Sequence, residues 1–152
     1  GCISFTYRPV EFGGFVIWNN TMVEGTSDAV FRGADGQPIA LPKGEWTHVA
    51  LEFEKIDTVG KWSLFTNGVL AATIQGAFKA YKDISNVLIG SRPKNPQTFY
   101  GRMAGMRLSK TALDPKDFLC SRTVRPSAKT VGFWPLESDG TALDLDSRVG
   151  VD

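Results

Sequence analysis

Apolar and polar residues alternate in short runs along this chain, and turn residues separate the runs. Ile3-Ser4-Phe5-Thr6-Tyr7-Arg8 has the period of two expected of a half-buried strand, and Pro9 ends it. Gly13-Gly14 reads as a turn, Phe15-Val16-Ile17-Trp18 as a short apolar strand, and Asn19-Asn20 as its closing turn. Asp28 to Arg32 is a further candidate strand, ended by Gly33-Ala34-Asp35-Gly36. After the turn Pro42-Lys43-Gly44-Glu45, the segment Trp46 to Glu54 predicts a long strand. Thr47, Val49, Leu51 and Phe53 lie on one face of it; Trp46, His48, Ala50, Glu52 and Glu54 lie on the other.

Lys61 to Thr66 and Val69 to Ile74 flank Asn67-Gly68. Asn-Gly between two apolar runs predicts a hairpin, because both central residues of a type I′ turn need positive φ. Asn86 to Gly90, Phe99 to Leu108 and Thr130 to Leu136 read as further strands, with a polar loop over 91–98. One stretch reads as helical: Asp114 is placed to cap and Pro115 to start a short helix over 114–119. Seven or more strands with no alternating βαβ pattern predict an all-β, antiparallel β-sandwich of jelly-roll type.

The 152 residues fit one domain, 1–152, in which 130–152 either completes the sandwich in permuted order or begins a following domain. Such a chain buries roughly 70% of the surface its unfolded form would expose, so a full core needs no staples. Ten phenylalanines and 16 glycines fit glycine-punctuated strands around an aromatic core. The net charge of +1 gives no global reason to expect nucleic acid or an anionic membrane as partner, and the basic stretch 121–129 reads as a solvated linker. No apolar run approaches the ~20 residues that span a bilayer. Cys2 and Cys120 are either a disulfide joining the two ends, as a secreted domain allows, or two free thiols.

Several pieces together resemble the laminin-G-like branch of the concanavalin A-like lectin and glucanase jelly rolls. They are Gly44-Glu45-Trp46-Thr47-His48-Val49-Ala50-Leu51, Trp62 to Gly68, Leu88-Ile89-Gly90, Phe99 to Leu108 and Ala112 to Phe118. They match the family's W-x-H-V-A, V-N-G, I-G, F-x-G-x-I-D-x-V-R-I and A-L-S-P-x-E in order over roughly residues 40–120. Two departures stand out. Met103-Ala104-Gly105-Met106 replaces the family's acidic pair, and the chain starts at what looks like the family's third strand. The C-terminal Phe133-Trp134-Pro135-Leu136 and Asp144 to Arg148 are similar to that missing beginning.

The resemblance implies a recognition module, outside the cell or at its surface and part of a larger multidomain protein, with carbohydrate or an extracellular protein as partner. It also implies a possible calcium ion as cofactor. Ca²⁺ needs six to eight oxygens; Asp28, Asp35 and Asp83 are loop candidates, and Asp139, Asp144 and Asp146 form a local acidic cluster. Sugar rings stack their apolar faces on aromatic side chains while amides and charged groups take their hydroxyls. That chemistry selects Trp18 with Asn19 and Asn20, Asp35 with Gln37, and the loop from Arg92 to Tyr100. Trp46 and Trp134 are expected to pack in the core. Asn19-Asn20-Thr21 is a glycosylation sequon, relevant to a secreted eukaryotic protein.

Catalysis is not expected. His48 is the single histidine, with no triad-like partner in view. Glu52 and Glu54 fall on the same strand face, as the paired carboxylates of a glycoside hydrolase would. Asp57 breaks the E-x-D-x-E pattern of such enzymes by falling on the opposite face of a continued strand, so the pair reads as a solvated outer face.

Overall fold

The computed structural model describes residues 3–19, 29–77, 89–90, 101–118, 127–134 and 136. The chain divides into two units, Gly1–Phe99 and Tyr100–Asp152. Among the described residues every named strand pairing is antiparallel and no α-helix occurs. The expected all-β class is therefore what the chain adopts.

The first unit holds two three-stranded sheets. β1 (Ile3–Arg8), β2 (Gly14–Asn19) and β3 (Ala29–Val30) form one, in that order. β4 (Val49–Ile56), β5 (Val59–Thr66) and β6 (Val69–Ala77) form the other. Phe15, Ile17 and Phe31 from the first meet Trp62, Leu64 and Ala72 from the second in one buried cluster. This is the inter-sheet core of a sandwich, and each fully buried aliphatic or aromatic side chain there contributes about 1.5–3 kcal/mol. Phe5, Tyr7, Val49, Leu51, Phe53 and Ile74 pack at its margin. The core face read from the β4 alternation is thus the one the fold uses. Phe5 stacks on Phe15 with centroids 5.2 Å apart and meets Phe31 edge-on at 6.1 Å.

Both hairpins of the second sheet are set by local backbone chemistry. Asn67 and Gly68 both have positive φ (50° and 79°), and Thr66 pairs directly with Val69, as a two-residue type I′ connection requires. Ile56 pairs with Val59 across Asp57-Thr58, with Asp57 at φ 54°. That turn fixes the register that sets Trp62 opposite Phe53, their rings 4.3 Å apart.

The segment 37–41 runs across the first sheet. Phe31 N–H donates to the Phe15 carbonyl, Ile39 N–H to that of Phe31, and Phe15 N–H to that of Ile39, at 2.9–3.0 Å. The Tyr7 hydroxyl accepts from Leu41 N–H at 3.0 Å. Gly14 is where this segment comes closest: a Cβ there would sit 2.1 Å from the Ile39 carbonyl oxygen.

In the second unit β7 (Met106–Ser109) pairs with β8 (Thr130–Trp134). The expected helix over 114–119 is a single 3₁₀ turn, Pro115–Asp117, with Asp114 as its cap: Asp114 Oδ1 accepts from Lys116 N–H at 3.0 Å. A Phe118 N–H bond back to Pro115 closes it.

Several strand boundaries differ from the sequence expectation: β2 takes in Gly14 and Asn19, β5 begins at Val59 and β6 runs on to Ala77. β4 starts at Val49 rather than Trp46 and runs on to Ile56. The strand expected over 99–108 begins only at Met106, because Gly105 at φ 71° interrupts extended backbone. The strand at 28–32 pairs as a strand only at Ala29–Val30, with Arg32 bridging to Pro38. β8 stops at Trp134, the residue before Pro135. Cys2, Cys120 and residues 86–88 lie outside the described residues.

Candidate functional site

The β4–β6 sheet turns one face to the core and presents the other as three cross-strand rows. Directly opposed residues of an antiparallel pair share a face with Cβ atoms about 5 Å apart. The register aligns Ala50 with Phe65 and Leu70, Glu52 with Ser63 and Thr73, and Glu54 with Lys61 and Gln75. A β-bulge between Leu64 and Phe65 shifts the first row against β6. The face therefore grades from an apolar row, through a row of one carboxylate and two hydroxyls, to a charged and amide row.

Burial varies along it. Ser63 and Phe65 are both only 9% exposed, and Glu52 is half-buried with its Oε1 sealed from solvent and without a hydrogen-bond partner. Thr73, Gln75 and Glu54 are exposed. Glu54 stands 3.7 Å from the Lys61 ammonium. The two carboxylates that a hydrolase reading would pair thus meet different surroundings, one closed in and one facing a lysine. Asp57, the third acidic residue of that motif, is in the turn after the strand, so the strand does not continue through it.

The hairpin end of the sheet carries an exposed aromatic face, the most exposed of Trp46, Trp62 and Trp134. Trp46 is 62% exposed, which corrects the expectation that it packs in the core. It lies between the Lys43-Gly44-Glu45 turn, where Gly44 has φ 82°, and a clamp at His48. The clamp is reciprocal: Asn67 N–H donates to the His48 carbonyl at 2.8 Å, and His48 N–H donates to Asn67 Oδ1 at 2.9 Å. One hairpin residue so satisfies both backbone groups of the residue two positions after Trp46. Val69 and Leu70, directly beyond the same turn, are 68% and 55% exposed. The tryptophan of the core is Trp62, 5% exposed, and Trp134 is half-buried beside Gly132.

The other residues selected from sequence are dispersed. Trp18 and Asn19 end β2, with backbone pairings to Ser4 and Ile3. Asp35 and Gln37 share the exposed turn after Arg32. There Asp35 Oδ1 accepts from Gln37 N–H at 3.0 Å, an Asx turn that accounts for the aspartate locally, and Arg32 donates to the Gly36 carbonyl. Asn20, Asp28, Asp83, Arg92 and Tyr100 lie outside the described residues. Among the described residues no three acidic, histidine or cysteine side chains converge. Sequence reasoning passed over Trp46 although its alternation had already put it on the face away from the core.

Comparison with protein families matches residues 13–117, well over half of the chain, to the concanavalin A-like lectin/glucanases superfamily, in a family of laminin-G type. The match begins one residue before β2, well ahead of the motifs that carry the sequence resemblance. No curated protein and no solved structure matches the chain.

Proposed function

Because the chain belongs to the concanavalin A-like lectin/glucanase superfamily, we propose that it is a non-catalytic recognition module whose ligand is carbohydrate, working outside the cell or at its surface. The superfamily supports a carbohydrate- or protein-binding module, and its name covers both lectins and glucanases, so the choice within it rests on this chain's own residues. The observation that carries the carbohydrate reading is the 62% exposure of Trp46, just ahead of a sheet whose outer face holds exposed hydroxyl, carboxylate and amide groups at Thr73, Glu54 and Gln75. Tryptophan is mostly buried in folded domains, and an exposed indole beside hydrogen-bonding groups suits a sugar ring, apolar on its face and polar at its rim. No helix among the described residues is long and apolar enough to cross a membrane.

The test is a glycan-array screen of the purified chain with and without millimolar calcium. Binding to one glycan class is expected, and a dependence on calcium would assign a role to Asp28, Asp35 or Asp83. A blank array in both conditions overturns the carbohydrate reading. Release of reducing sugar from bound glycan, abolished by Glu52→Gln, would overturn the non-catalytic one. A second reading, adhesion to another protein, draws on the adjacent exposure of Val69 and Leu70; capture of a protein partner lost in Leu70→Ser, on a blank array, would favour it.

A further inference from the structure

We propose that the ligand platform is the hairpin end of the β4–β6 sheet, that Trp46 is its stacking surface, that Asn67 is the residue positioning Trp46, and that the ligand is a neutral rather than an anionic glycan. The proposal rests on the carbohydrate reading and adds the place, the positioning device and the charge class.

The place follows from the backbone. Residues 46–48 are not part of β4, so no ladder of strand pairing holds them. Their order comes from two ends. At one, the turn at Lys43-Gly44-Glu45 uses Gly44 in a conformation that other residues rarely adopt. At the other, Asn67 grips both backbone groups of His48. An exposed, rotamer-rich side chain loses entropy when it binds, and a platform held in advance loses less. The Asn67 grip is such a hold, and it comes from the residue that the type I′ turn already requires with positive φ.

The charge class follows from the neighbouring groups. The sheet face carries Glu52 and Glu54 against Lys61, two negative charges and one positive, a net of −1. Lys43 and Glu45, flanking Gly44, cancel. Nothing in this set favours sulfate or carboxylate on the ligand, and the surplus carboxylate repels them. What the set does offer a sugar is the exposed groups Thr73, Glu54 and Gln75, while Ser63 is buried and Glu52 half-buried behind them. The aromatic platform precedes β4 at the hairpin end of the sheet that carries these groups.

Two substitutions at Asn67 separate positioning from folding. Asn67→Gly keeps a residue that accepts positive φ and removes the oxygen that holds His48 N–H; Asn67→Asp keeps that oxygen. The experiment is titration of the intact chain, by tryptophan fluorescence and calorimetry, with neutral cello-, laminari-, manno- and galacto-oligosaccharides and with a fully sulfated oligosaccharide. Thermal unfolding and circular dichroism are recorded for every variant.

The expected result is binding of a neutral oligosaccharide by the native chain and weaker binding of the sulfated one. Trp46→Ala should weaken the neutral ligand at least roughly tenfold, as loss of a stacked aromatic face does. Asn67→Gly should weaken it by a similar factor with the fold retained, and Asn67→Asp should bind as the native chain does. Native binding that Trp46→Ala leaves unchanged overturns the inference while the carbohydrate reading stands; the aromatic would then be Trp18 or Tyr100. Stronger binding of the sulfated ligand overturns the charge class. Equal weakening by Asn67→Gly and Asn67→Asp overturns the positioning role. Absence of binding to every oligosaccharide removes the carbohydrate reading and the inference together.

Discussion

Replacing Gly14 with alanine should be among the most damaging single-methyl additions in this protein, and a second glycine supplies the control. The Cβ would sit 2.1 Å from the Ile39 carbonyl oxygen and 2.7 Å from its carbon. Carbon and carbonyl oxygen ordinarily meet at about 3.3 Å, so the gap to be opened is more than about 1 Å. The obstacle is backbone on both sides, so no rotamer change relieves it. The segment carrying Ile39 must move away, and the bond from Phe15 N–H to the Ile39 carbonyl goes with it. Overpacking of this kind costs about 1–3 kcal/mol, and the orphaned N–H of a core residue about 1–3 kcal/mol more. A total near 4 kcal/mol is a large share of the roughly 5–15 kcal/mol that holds a domain folded. Gly36 isolates the other way in which glycine is needed. It has φ 77° and nothing within 4 Å of where an added methyl would sit, so Gly36→Ala carries only the conformational cost, about 1–2 kcal/mol. Urea unfolding followed by fluorescence and far-UV circular dichroism, with slopes compared to confirm a common transition, measures both. If Gly14→Ala destabilises no more than Gly36→Ala, the close crossing at Ile39 is not a feature of the molecule.

Trp62 Nε1 is buried with no hydrogen-bond partner. Trp62→Phe leaves a void worth about 1–2 kcal/mol but removes an orphan donor that costs about 1–3 kcal/mol. Its net effect in chemical denaturation should be within about 1 kcal/mol of zero, whereas Leu64→Ala should cost about 3–5 kcal/mol; a Trp62→Phe loss as large as that of Leu64→Ala would show that the indole N–H is satisfied. Asp114 is held below the ordinary aspartate range, first by the backbone N–H of Lys116 and then by its side chain, while the Asp114 carboxylate raises Lys116. A depressed carboxyl contributes stability above its unfolded value and loses it as pH falls through the folded one; a raised lysine contributes below its unfolded value and loses it as pH rises through the folded one. An NMR titration should therefore find Asp114 protonating at lower pH than in an unfolded peptide, and moving part of the way back up in Lys116→Ala, which keeps the backbone donor; a folded midpoint equal to the unfolded one would contradict the cap, and one unmoved by Lys116→Ala would contradict the side-chain pair. At Gly132 a Cβ would come 2.6 Å from the Trp134 ring, a side chain that can turn aside. Gly132→Ala should thus change the near-UV dichroism while costing about 1–3 kcal/mol at most; an unchanged near-UV spectrum would place the Trp134 ring elsewhere.

The parts of the fold legible in the sequence are those that one or two residues decide locally. Asn67-Gly68 forces its turn through φ alone, and the alternation from Val49 to Phe53 names the core face without reference to any other strand. The location of the buried tryptophan is not local in this sense, because it depends on register. Once Asp57-Thr58 is taken as a two-residue turn, counting back from it sets Trp62 opposite Phe53 and hence inside. Reading residues 52–57 instead as one continuing strand hides that turn, and with it the identity of the core indole. The same step explains Trp46. Its parity with Glu52 and Glu54 had already turned it away from Phe53, and the opposite face of a sandwich sheet meets solvent unless something else covers it. Size and hydrophobicity argued for burial, while parity argued against it. Strand parity binds only from Val49 on, and Trp46 stands just outside the ladder; drawing it into the core by sliding the strand one residue would expose Val49, Leu51 and Phe53 together. The transfer free energy of three core residues outweighs that of one indole, and this is why the largest aromatic side chain of the segment is the one left exposed.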